Sequence, residues 1–150
     1  MPPSSQPPGV IGIGYEGRDI DSFVRELQAA QVARLVDVRL TPISRKPGFS
    51  KSALRAALAG VGIAYEHRRE LGNPKANRAG FQGSPEELRA ARKAYAARLA
   101  EPEARRAIEE LARAATTERI AVLCFEADQR RCHRDLVVDE VARRLKLGDW

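Results

Sequence analysis

Cysteine is scarce in this chain, two residues among 150. Two cysteines cannot build the disulfide framework of a small secreted domain, so a reducing cytoplasm is the expected compartment. Aromatic residues are few as well, 5% of the chain, and they do not alternate with the charged residues as stacking platforms for nucleic-acid bases would. No apolar run approaches the roughly 20 residues that span a bilayer, which argues against a membrane partner. The opening MPPSSQPPGV lacks the basic start and apolar stretch of a signal peptide. Its proline and serine content predicts a flexible leader over residues 1–9, with a single domain over 10–150. No internal repeat is visible.

What is present suits a soluble globular domain. Hydrophobic residues make up 43% and charged residues 31%, and the length suffices for one domain with a sizeable core. The net charge is +6, but between Arg39 and Lys93 twelve Lys or Arg face four Glu, leaving the rest of the chain slightly negative. A basic stretch of this kind draws phosphate-bearing partners towards it. Arginine that merely solvates helix faces produces the same count.

Strand-like and helix-like segments alternate. VIGIGY (10–15), ARLVDVRL (33–40), GIAYEH (62–67) and RIAVLCF (119–125) read as strands, the last most clearly. Between them Phe23, Val24, Leu27 and Ala30 recur at helical spacing. Ser50 is placed to cap a helix that Gly60 ends. Ser84-Pro85-Glu86-Glu87 is a helix start with the capping-box spacing, running to about Leu99. Pro102 opens a further helix, and Leu136, Val137, Val141 and Leu145 mark the last. RRELGNPKANRAGFQG (68–83) reads as a long irregular segment, the kind of loop that usually serves function. Strands alternating with helices predict an α/β fold: a mainly parallel sheet of about four or five strands with helices on both faces, a three-layer sandwich.

In such a sheet, ligands bind at the carboxyl ends of the strands. Those ends carry Tyr15, Arg39, His67, Glu70, Glu126, Cys132, His133 and Arg134. CFEADQRRCHRD (124–135) holds both cysteines and one of the two histidines. Cys124 to Arg130 fits the Cys-x5-Arg spacing of a phosphatase loop. The segment has no glycine, however, and its Glu126 and Asp128 would repel a phosphate and raise a thiol pKa. Cys124, Glu126, Cys132 and His133 are all acceptable zinc ligands, yet there is no C-x2-C or H-x3-H pair. Adjacent residues at a helix start also point about 100° apart, so no metal is expected. The preferred reading takes Cys132-His133-Arg134 as the first turn of the last helix. There the helix dipole and Arg134 favour an anion, Cys132 becomes the more reactive thiol, and His133 with Glu126 handles protons.

Four segments, GIGYEGR (12–18), LVDVRLTPISRKPGFSKSAL, IAYEHRRELGNP and LCFEADQRRCHRDLVVDEV, resemble in order the bacterial and archaeal family known as domain of unknown function 488. Its C-x-E-x5-C-H-R motif falls on Cys124 to Arg134. The resemblance singles out Tyr15, Asp37, Arg39, Pro42, Glu126, Cys132, His133 and Arg134. It implies an α/β cytoplasmic protein with no established cofactor and leaves the substrate open.

The leading expectation is therefore a small enzyme or ligand-binding protein with a phosphate or nucleotide site at the strand ends. Cys132, His133 and Glu126 are the catalytic candidates, and Tyr15, Arg39, Arg134 and His67 the ligand-binding ones. The alternatives are a nucleic-acid-associated protein using residues 39–93, and a redox-sensing interaction module built on Cys124 and Cys132.

Overall fold

β1 (Gly9–Gly14), β2 (Arg34–Asp37), β3 (Ala64–His67) and β4 (Arg119–Cys124) form one sheet in the order β1-β4-β2-β3, parallel throughout. This is a computed structural model and describes residues 8–148. The leader expected over 1–9 lies outside the described residues except at its end, where Gly9 already belongs to β1. β4 and β2 are the two interior strands, and the sequence of β4 suits that place. Every residue after Arg119 in RIAVLC is buried, as a strand covered on both faces requires.

The period-two alternation of the strands sorts the core into two halves. Ala121 and Leu123 of β4, Leu35 of β2 and Ile13 of β1 face one side. There they meet Phe23 and Leu27 of α1 (Ile20–Ala29) and Leu54 and Leu58 of α2 (Lys51–Ala59). Ile120, Val122 and Cys124 face the other side with Val36 and Val38. Covering them are α3 (Lys75–Phe81), α4 (Pro85–Leu99), α5 (Pro102–Ala114) and α6 (Arg134–Leu147). The result is the three-layer α/β sandwich, with four strands among the described residues.

Helix starts follow the sequence with one change. Ser84 Oγ accepts from the Glu87 N–H at 3.1 Å, and Glu87 Oε1 accepts from the Ser84 N–H at 2.8 Å, a complete capping box. Ser84→Ala is expected to lower stability by about 1 kcal/mol. Urea unfolding measures this, and an unchanged midpoint would show that the box contributes nothing. Ser50 precedes α2 but does not cap it. Its hydroxyl instead accepts from the Ser44 N–H at 2.9 Å and donates to the Ser44 carbonyl at 3.1 Å, pinning the loop after β2.

Two segments depart from the sequence reading. Residues 68–83 are not irregular: a 3-10 turn (Arg69–Leu71) is followed by α3. Phe81, buried in the core, and Asn77, whose Nδ2 donates to the Ala91 carbonyl at 3.0 Å, tie α3 to α4. The last helix begins at Arg134, later than expected, because Cys132 is extended (φ −137, ψ 142) and His133 is the N-cap. Among the described residues no helix is long and apolar enough to cross a membrane.

Candidate functional site at the strand ends

After β1 and β2 the chain turns towards the α1/α2 face, and after β4 it turns the opposite way into α6. The strand ends therefore diverge beside β4, and a crevice opens there, as at the switch point of any open parallel sheet. A cavity of about 160 Å³ occupies it, lined by Tyr15, Arg39, Thr41, Asn73, Arg78, Phe81, Glu126, Arg131, both cysteines and His133, among others. A larger hollow of about 470 Å³ between α4, α5 and α6 carries no cysteine, histidine or strand end, and so none of the chemistry at issue.

The β1 and β4 ends are laced together. Tyr15 and Glu16 both donate their N–H to the Phe125 carbonyl, at 3.1 and 2.9 Å. Glu16 Oε1 accepts from the Ala127 N–H at 2.9 Å. Gly14 makes this possible, since a Cβ there would stand 2.0 Å from the Glu126 carbonyl oxygen.

At the β2 end a buried ion pair takes shape. Arg39 meets Asp37 through Nε to Oδ1 at 2.9 Å and Nη2 to Oδ2 at 2.7 Å, the fork that matches a guanidinium to a carboxylate. Arg39 Nη1 donates to the Phe49 carbonyl at 2.7 Å and to the Tyr15 hydroxyl at 3.2 Å. Tyr65 donates its hydroxyl to Asp37 Oδ2 at 2.5 Å. Burial opposes the charge on Arg39, but the hydrogen bond and charge of Asp37 hold its pKa above the ordinary value. Burial, then Asp37, push the Tyr65 hydroxyl upward. Tyr15 stacks on Phe49 at 4.5 Å between ring centres, with Phe125 edge-on at 5.3 Å.

At the β4 end the two cysteines meet. Cys124 and Cys132 are paired sulfur to sulfur, with Cα atoms 7.1 Å apart, and both are buried. His133 stands beside them, its Nδ1 3.8 Å from Cys132 Sγ. Its Nε2 lies 2.8 Å from the Val38 carbonyl. A carbonyl only accepts, so Nε2 carries the proton and Nδ1 presents a lone pair to the sulfurs. Burial lowers the His133 pKa to about 4, so the ring is neutral near pH 7. Glu126 Oε1 is 3.6 Å from Cys124 Sγ, and burial holds this carboxyl above its usual range, against backbone hydrogen bonding and the Arg134 charge.

The structure thus brings Tyr15, Arg39, Glu126, Cys132 and His133 around one cavity, and it leaves two candidates outside. Arg134 turns away: Nη1 donates to the Glu126 carbonyl at 2.6 Å and contacts Cys124 Sγ at 3.3 Å, and Nη2 reaches the Ala127 carbonyl at 3.4 Å. It clamps the loop, and burial lowers its pKa. With Cys132 extended, the helix starts at Arg134, whose guanidinium lies on the loop carbonyls and not among the cavity's lining residues. His67 donates from Nε2 to the Arg39 carbonyl at 2.8 Å and is not among the lining residues. Among the residues not singled out from sequence that do line the cavity are Arg131, in the loop after β4, and Asn73 and Arg78, both from the segment 68–83. For Asn73 and Arg78 the one signal was the length of that segment. Elsewhere in the basic region 39–93, Arg68 and Arg92 pair with carboxylates and Arg55 lies over the Tyr65 ring.

A doubly covered parallel sheet whose soft and titratable side chains gather at its switch point is the class that fold and site define. The chain belongs to one family within it. A family model described as "Domain of unknown function DUF488" matches residues 19–141, from just before α1 into α6. No curated protein and no solved structure matches the chain.

Proposed function

We propose that the protein binds a small anion in the switch-point cavity, inorganic phosphate or the phosphate end of a nucleotide, as a ligand-binding protein of enzyme-like design. The observation that carries this reading is the charge of the lining: three arginines, Arg39, Arg78 and Arg131, against one carboxylate, Glu126. The three differ in what they can still give. Arg39 spends four of its five donors inside the protein, and Arg131 Nη1 serves the Phe81 and Gly83 carbonyls at 3.1 Å each. Arg78 is exposed, donates only from Nε to the Asn73 carbonyl at 3.4 Å, and pairs with no carboxylate among the described residues. Its two terminal nitrogens are the donors free to grip an anion, with Asn73 beside them. A cavity of 160 Å³ is below the roughly 300–1,000 Å³ of a drug-sized site, so the phosphate enters and the rest of a larger ligand stays outside.

The test is calorimetric titration with phosphate and with a nucleoside monophosphate at low salt. Wild type is expected to bind. Arg78→Ala, an exposed change that spares the core, is expected to bind at least tenfold more weakly, since a hydrogen bond to a charged group is worth about 1.5–3 kcal/mol. Equal affinity of the two proteins, or no binding by wild type, would end this reading.

A further inference from the structure

We infer that, when Cys124 and Cys132 are reduced, they and His133 hold a soft divalent metal ion such as zinc, with the fourth position left to a small ligand from the cavity these three residues line. Cys124 Sγ, Cys132 Sγ and His133 Nδ1 all lie within 4.8 Å of one another, and all three residues are buried. Two thiolates and one imidazole are the donor set that zinc selects. The spacing objection raised by adjacent Cys132 and His133 assumed that both belong to a helix. Here Cys132 is extended and His133 is the N-cap, so the two side chains converge.

The surroundings are those of ligands already set in place. Metal-bound histidines usually give the other ring N–H to a carbonyl or carboxylate, which fixes the tautomer. His133 does this with the Val38 carbonyl at 2.8 Å. Arg134 Nη1, 3.3 Å from Cys124 Sγ, offers a charged hydrogen bond to a thiolate there. Glu126 Oε1 lies 3.6 Å from the same sulfur and stands outside the cluster of three donors. The Cα separation of 7.1 Å lies past the roughly 4.4–6.8 Å over which disulfides usually form. Two sulfurs sharing an ion span that distance without moving the backbone.

A phosphine reductant donates two electrons, the sulfur–sulfur bond breaks, and each sulfur takes a proton while the phosphine becomes its oxide with the oxygen of one water. Coordination of the divalent ion then releases both thiol protons. The inference stands on the sulfurs and the imidazole and is independent of the anion reading. Failure of phosphate to bind leaves it untouched, and the converse holds.

The experiment titrates cobalt(II) into the full chain after phosphine reduction and removal of metal by chelation, with thiols counted in denaturant on a parallel sample. The expected result is one cobalt per chain with a thiolate-to-cobalt charge-transfer band, displaced by one equivalent of zinc and abolished when both thiols are alkylated beforehand. Cys132→Ser is expected to weaken binding at least a hundredfold. Two free thiols per chain with no charge-transfer band on adding cobalt would overturn the inference in wild type, without recourse to any variant. A chain whose cysteines return to the disulfide in the presence of excess zinc and reductant would overturn it equally.

Discussion

Arg39→Ala should lose about 3–5 kcal/mol of folding stability, the usual cost of stripping one partner from a buried ion pair. Asp37 is fully buried and accepts from Arg39 through Nε, Nη2 and the backbone N–H, and from the Tyr65 hydroxyl. Without the guanidinium, one tyrosine hydroxyl and one backbone N–H are left to hold a carboxylate in the middle of the sheet edge. The Phe49 carbonyl and the Tyr15 hydroxyl lose their donor as well. A domain of this size has roughly 5–15 kcal/mol in all, so the urea midpoint should fall by a large fraction. Adding Asp37→Asn to Arg39→Ala removes the stranded charge and is expected to recover part of the loss. A single-variant loss below about 1 kcal/mol would mean that the pair is not the keystone of this edge.

Gly14→Ala is the second large effect, expected at about 1–3 kcal/mol, the range for overpacking a closed interior. The added Cβ would stand 2.0 Å from the Glu126 carbonyl oxygen, and backbone cannot swing aside as a side chain can. The loop 125–133 must shift as a unit, pulling on the bonds from Tyr15 and Glu16 to the Phe125 carbonyl and on the Arg134 clamp. The change should therefore damage the cavity beyond its cost in stability. Phosphate affinity, measured well below the melting range, should drop even though Gly14 is not among the lining residues. Full affinity at reduced stability would separate loop position from ligand binding.

Much of the sheet could be read directly, because β4 is an unbroken apolar run and the helices around it repeat their apolar residues at 3.6-residue spacing. The gathering of Tyr15, Arg39, Glu126, Cys132 and His133 could also be read, since in a parallel sheet all strand ends point the same way. α3 could not. NPKANRAGFQ carries proline, three polar amides and glycine within ten residues, and it becomes helical through tertiary support from Phe81 and Asn77. With α3 hidden, Arg78 was only one of many basic residues in a loop. The approach of Cys124 and Cys132, eight residues apart, could be anticipated, but what brings them together could not. The loop between them returns to the strand end because Arg134 reaches back to the Glu126 and Ala127 carbonyls, a contact with no local sequence signature. The same contact explains why Arg134 clamps the loop when helix-start reasoning gave it an anion.

The most direct measurement is a crystal of the protein grown without phosphate or sulfate and then soaked in phosphate. A bound anion is expected in the switch-point cavity, within hydrogen-bonding distance of the Arg78 guanidinium and next to Asn73. Phosphate seated on other arginines while this cavity holds only solvent would contradict the proposed function outright.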